Sequence, residues 1–140
     1  MDLGECKDKG IIRKVRIDKN LVMSLVDISK IKEQTIKKVI MDGVSINAYL
    51  PMAYDSLREI LEGFCILYGY KVGNHDCLGK LVNELIKDFD LFLFDRFRYV
   101  RNGINYYGSK IGLEEGKLLI EKIFKMKMEI LELLNKKLKE

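Results

Sequence analysis

Arginine, asparagine and tyrosine crowd one short stretch of this sequence, Arg98-Tyr99-Val100-Arg101-Asn102-Gly103-Ile104-Asn105-Tyr106-Tyr107-Gly108. On a helix at about 100° per residue, Arg98, Asn102 and Tyr106 stack at i, i+4 and i+8, and Arg101 and Asn105 form a second row beside them. Arginine forks match phosphate oxygens, and amides and phenols reach bases. The set is suited to holding a nucleotide or RNA. Asn is also a poor choice for an exposed helix interior, and two occur within one turn. The plainer alternative is a solvated face whose arginines pair with carboxylates such as Asp95 or Glu62. On the same helix Leu93, Phe97, Val100, Ile104 and Tyr107 form the apolar stripe expected to face the core. Gly103 lies mid-helix at a cost of about 1 kcal/mol against Ala. Such a residue suggests close approach of another backbone, here a partner helix.

The elements that must position these residues read as helices throughout. Apolar residues recur at helical spacing, and no segment sustains the period-two alternation of a half-buried strand. The first long helix should begin at a cap of Asp18 or Asn20 and stop at Asp42-Gly43, with Leu21, Val22, Leu25, Ile28, Ile36, Val39 and Ile40 inward. The second runs from Ser45 or Pro51 to Tyr68, and a third covers about Asp76–Lys87, capped by His75 or Asp76. The fourth spans about Leu91–Tyr106 and the fifth about Leu113–Lys139. Residues 1–17 read as an extended arm or short lead-in, and residues 18–140 as a single all-α domain, an up-down bundle of four to five helices.

Length and composition agree. The chain has 140 residues, 48% hydrophobic and 33% charged, enough to bury one core. No apolar run approaches a membrane span, and MDLGECKDKG has no signal-peptide core, so a cytoplasmic protein is expected. A net charge of +4 tolerates an anionic partner without demanding one. Cys6, Cys65 and Cys77 are an odd number without metal-pair spacing, so neither a disulfide framework nor a metal centre is expected. Cys65 falls on an apolar stripe, and Cys6 reads as free and exposed. The only histidine, His75, reads as a capping or loop-packing residue, with no Cys/His pair nearby to complete a metal site.

Arg101-Asn102-Gly103-Ile104-Asn105-Tyr106-Tyr107-Gly108 resembles the RNxxxH-type signature of HEPN domains, the higher-eukaryote and prokaryote nucleotide-binding family. Upstream, Ala53 to Glu62 is similar to that family's long second helix. Gly69-Tyr70-Lys71 with His75-Asp76-Cys77-Leu78 resembles its GYK…SHxxL connection, and Glu5-Cys6…Gly10…Arg13-Lys14-Val15 resembles its N-terminal arm. The resemblance spans nearly the whole chain.

It implies a helical bundle working as a homodimer, with the two motif helices lining one shared cleft. Many members of the family are metal-independent endoribonucleases; others bind RNA, nucleotides or partner proteins without turnover, and small prokaryotic ones often pair with a minimal nucleotidyltransferase as toxin and antitoxin. This sequence departs from the active pattern where a histidine is expected: those positions hold Tyr106, Tyr107 and Gly108. Attack by a ribose 2′-hydroxyl needs a base near pH 7, and a phenol with a pKa of about 10 is roughly 4 kcal/mol from ionising there, against about 6.5 for imidazole. The expectation is therefore a binding cleft of Arg98, Arg101, Asn102 and Asn105, taking RNA, a nucleotide or a partner protein without a cofactor. The alternative is an endoribonuclease in which Arg101, Tyr106 and Tyr107 carry catalysis.

Overall fold

A computed structural model describes all 140 residues, Met1–Glu140. The chain runs α1 (Leu3–Asp8), β1 (Ile12–Lys14), α2 (Lys19–Lys38), α3 (Ile46–Leu67), β2 (Tyr70–Val72), α4 (His75–Leu85), α5 (Leu91–Tyr107) and α6 (Leu113–Leu138). It is an all-α bundle with one small two-stranded sheet. No helix is long and apolar enough to cross a membrane.

The bundle is organised around α3. Its apolar residues are dense enough to bury it on several sides: Leu50, Ala53, Tyr54, Leu57, Ile60, Leu61 and Phe64 are all in the core. Pro51 sits inside this helix, in its second turn, because α3 starts at Ile46. Along α3 pack α2 and α6, while α4 and α5 contact α3 and each other. Asp18 caps α2, its carboxylate accepting from the Leu21 N–H at 3.0 Å.

The inward face of α2 is narrower than the spacing of its apolar residues suggests. Val22, Ser29 and Ile36 are buried, whereas Leu21 and Ile28 are exposed; Ile40 lies past the helix, which stops at Lys38 short of the expected Asp42-Gly43. The reason is a polar tie at mid-helix. Ser29 donates to the Ser56 carbonyl, and the buried Lys127 of α6 reaches the Ser29 carbonyl at 3.0 Å and Glu33 at 2.8 Å. Satisfying these groups fixes which side of α2 turns inward.

Residues 1–17 do not form the extended arm expected. An Asp2–Glu5 capping box starts α1, and β1 pairs antiparallel with β2 in the register Ile12↔Val72, Arg13↔Lys71, Lys14↔Tyr70. Cys6, far from free and exposed, is fully buried and forms a disulfide with Cys77 in the first turn of α4. This overturns the expectation of no disulfide: an odd cysteine count left one pair, and its 71-residue separation carries no local spacing signal. Cys65 stays free and buried in the core, where burial pushes its thiol up to about 12.

Candidate functional site

Asp90 caps α5 by accepting from the Leu93 N–H at 2.9 Å, and Gly108 ends it in the left-handed region at φ 68°. Between these caps the helix is rolled relative to its apolar stripe. Phe94 and Phe97 are fully buried, Leu93, Val100 and Ile104 are only half-buried, and Tyr107 is 81% exposed. Gly79 makes the roll possible. A Cβ there would stand 2.8 Å from the Phe94 ring, so only glycine lets this ring lie on α4. Arg101, two turns on from Phe94, then points inward as well, with its side chain 13% exposed.

Arg101 is held from several sides. One Nη donates to Asn102 Oδ1 at 3.0 Å and to the Tyr106 hydroxyl at 3.1 Å. The other lies 3.8 Å from Asp55. Its guanidinium carbon sits 5.5 Å from the Tyr54 ring centroid and 5.3 Å from that of Tyr106, a cation between two aromatic rings. Arg98 reaches Asp95 at 3.4 Å and Asp76 at 3.5 Å. Arg58 of α3 reaches Asp55 at 3.7 Å and Glu62 at 2.7 Å, and Lys80 holds Asp76 at 3.1 Å. Four cations thus face four carboxylates, so the cluster is not a bare positive patch. Its satisfaction is incomplete: Nε of Arg98, Nε of Arg101 and Oδ1 of Asp55 are buried without hydrogen-bond partners. Such groups are costly unless something else completes them.

His75 joins this cluster, against its reading as a cap. The cap of α4 is Asn74, which accepts from the Cys77 N–H at 2.8 Å. His75 is therefore the first helical residue, and its ring turns to α3, where Nδ1 and the Tyr54 hydroxyl lie 3.1 Å apart. Burial, then Arg58 and Arg101, hold the imidazole down to about 4 from its ordinary value, with Asp55 opposing and Arg98 adding. It is neutral at pH 7. Burial pushes the Tyr54 phenol up, against the pull of Arg101, Arg98 and Arg58, so it keeps its proton.

The structure therefore brings together Arg98, Arg101, Asn102 and Tyr106, and adds Tyr54, Asp55, Arg58, His75 and Asp76. It leaves Asn105 and Tyr107 exposed and outside the Arg101 contacts. A sequence signal existed for the α3 members. Tyr54, Asp55, Arg58 and Glu62 are polar residues at helical spacing in an otherwise apolar helix.

The outward side of α5 carries an exposed row, Phe92, Tyr99 and Tyr106, spaced seven residues apart and 86%, 80% and 65% exposed. Gly103 lies in the same row. A Cβ on it would meet only Ser109, at 3.4 Å, so nothing within this chain needs its small size. Beside it runs a groove of about 550 Å³ whose lining includes Tyr99, Asn102, Gly103, Tyr107 and Lys110. No three His, Cys, Asp or Glu side chains are grouped as metal ligands. No family model matches the chain, and neither a curated protein nor a solved structure matches it.

Proposed function

We propose that the protein binds single-stranded RNA as a symmetric dimer of the HEPN type, through Arg98, Arg101, Asn102 and Tyr106. One observation carries the reading: arginines with buried, unpartnered N–H groups lie beside an exposed aromatic row on the same helix. Single-stranded nucleic acid is held by this combination, with phosphates on guanidinium donors and bases on aromatic faces. The long ion pairs to Asp55, Asp76 and Asp95 keep the arginines in place without using all of their donors. The open row around Gly103 supports the dimer, since a second α5 can approach closely where no side chain intervenes. Such a protein would act in the cytoplasm, with both disulfide cysteines shielded by burial.

The test is a paired measurement on Arg101→Ala: affinity for a labelled single-stranded RNA, and melting temperature. A loss of affinity of tenfold or more, beyond any change in melting, supports the site. Unchanged affinity with a lower melting temperature means that the arginines only bind the helices together through Asp55, Asp76 and Asp95.

A second reading, a metal-independent endoribonuclease, is favoured by the single imidazole of the chain standing in this cluster.

A further inference from the structure

We propose that the Cys6–Cys77 disulfide is a reversible redox switch: its reduction releases α1 from the first turn of α4 and loosens the side of the arginine cluster that this turn supplies. The release is independent of the RNA-binding reading above; its effect on a ligand rests on that reading.

At one end of the bond, α1 has little else to hold it. Of residues 1–17 only Cys6 and Ile12 are buried, and Ile12 belongs to β1, which has its own pairing with β2. α1 is six residues long, too short to persist by its own hydrogen bonds, and it packs on α4 and β1. Its buried anchor is the Cys6 side chain. Gly10, in the left-handed region at φ 72°, separates it from β1. Reduction therefore frees a discrete piece, Met1–Lys9, while the sheet stays in place.

The other end of the bond is set in the site. The Cys77 backbone N–H donates to Asn74, the cap of α4, at 2.8 Å. The two residues before it are His75, 3.1 Å from the Tyr54 hydroxyl, and Asp76, which reaches Arg98 at 3.5 Å and Lys80 at 3.1 Å. With α1 docked, Cys77 is fully buried. Without α1 this turn loses its cover, and its cap and these contacts fray with it. Arg98 then keeps Asp95 alone of its two carboxylates.

The reductant is a small dithiol. Its first thiolate attacks Cys77 Sγ and expels the Cys6 thiolate; its second thiol displaces Cys77 and closes the reagent's own disulfide. Two electrons and two protons pass to the protein, leaving Cys6 and Cys77 as thiols. Access lies at the start of the chain. The Met1 thioether is 3.7 Å from Cys77 Sγ, and Met1 is 44% exposed, so fraying of this end opens the bond. Cys65, buried in the core with its thiol pushed up to about 12, offers no competing thiolate. In the cytoplasm, where the protein is proposed to act, disulfides are mostly transient and redox-sensing.

The experiment compares the full chain oxidised, reduced with dithiothreitol, and reoxidised. The chain has one histidine, so its NMR titration is a single curve. In the oxidised protein His75 titrates at about 4, held down by burial, then Arg58 and Arg101, with Asp55 opposing and Arg98 adding; Asp76 is its neighbour in sequence. Reduction should move the curve up by about one pH unit or more, as the ring gains water, and reoxidation should restore it. Amide hydrogen exchange should quicken in α1 and at Cys77 and Leu78 far more than at the centre of α3. A curve that does not move, or exchange that quickens equally throughout, overturns the switch, since the bond would then only stabilise the whole fold. Affinity for a labelled single-stranded RNA should fall at least about fivefold on reduction. A moved curve with unchanged affinity overturns the link to binding. Absence of RNA binding in both states overturns the binding reading and leaves the switch standing. Cys6→Ser should show the reduced-state curve with or without dithiothreitol; a variant that still responds to the reductant overturns the assignment to this bond.

Discussion

Tyr54 and His75 hydrogen-bond across the α3–α4 junction at 3.1 Å, and the Tyr54 ring lies against the inward side of α5 through Phe94 and Arg101. The bond links the most buried helix of the bundle to the first turn of α4, and places the one imidazole of the chain among three guanidinium groups.

Acid sensitivity follows. Unfolded, His75 takes up a proton as pH falls through about 6.5; folded, it resists until about 4. The unfolded state therefore binds more protons in that window, and stability falls as pH drops through it. With screening at a half-exposed ring allowed for, the loss is about 1–2 kcal/mol. Urea titrations at pH 7 and pH 5 should show a smaller loss in His75→Gln than in the wild type. Equal losses would assign the effect to the carboxylates.

Gly79→Ala should destabilise, although alanine favours a helix. The added methyl meets Phe94 at 2.8 Å and Leu91 at 3.1 Å, and Phe94 is fully buried with no room to retreat. Overpacking of this kind costs about 1–3 kcal/mol. A lowered urea midpoint at unchanged slope checks it.

Reduction of the Cys6–Cys77 bond should lower stability by about 2–4 kcal/mol. Thiol titration of the denatured, unreduced chain should find one thiol, Cys65, and three after reduction. Three thiols before reduction would contradict the pairing.

Light scattering at micromolar concentration should give a dimer mass. Tyr99→Arg should return a monomer of unchanged helicity, because Tyr99 is 80% exposed and touches no core. A dimer that survives this change is built on another face.

Arg101→Lys keeps the charge but loses the fork that serves Asn102 and Tyr106 together. RNA affinity should fall about tenfold, or 1.4 kcal/mol, with the salt dependence little changed. A steeper or flatter salt dependence would mean that the number of neutralised phosphates has changed.

The helices were legible because caps and periodicity are local. Asp18 and Gly108 each stand where a helix starts or stops. The grouping of Arg101 with Asn102 and Tyr106 was legible for the same reason, since one helix supplies all three. The direction in which α5 faces was not. Leu93, Val100, Ile104 and Tyr107 outline a stripe, but Gly79 on another helix and the polar groups of Tyr54 and Asp55 turn Phe94 and Arg101 inward instead. His75 was misplaced by one residue. Asn74, His75 and Asp76 are adjacent and each can cap, and only the chain's path into α4 selects Asn74. The Cys6–Cys77 pair depends on the fold of everything between its ends.

That cross-link also closes a covalent ring. The ring spans 71 residues of sequence and contains β1, α2, α3 and β2, while α5 and α6 lie outside it. Under tension applied at the two termini, α5 and α6 can pay out, but the chain within the ring cannot. At about 3.5 Å per residue the ring withholds roughly 250 Å of contour length. A single molecule pulled in an oxidising buffer would stop short by that length and release it on addition of a reductant. The helix that carries Tyr54 is thus mechanically protected, while the helix that carries Arg101 is free to peel away.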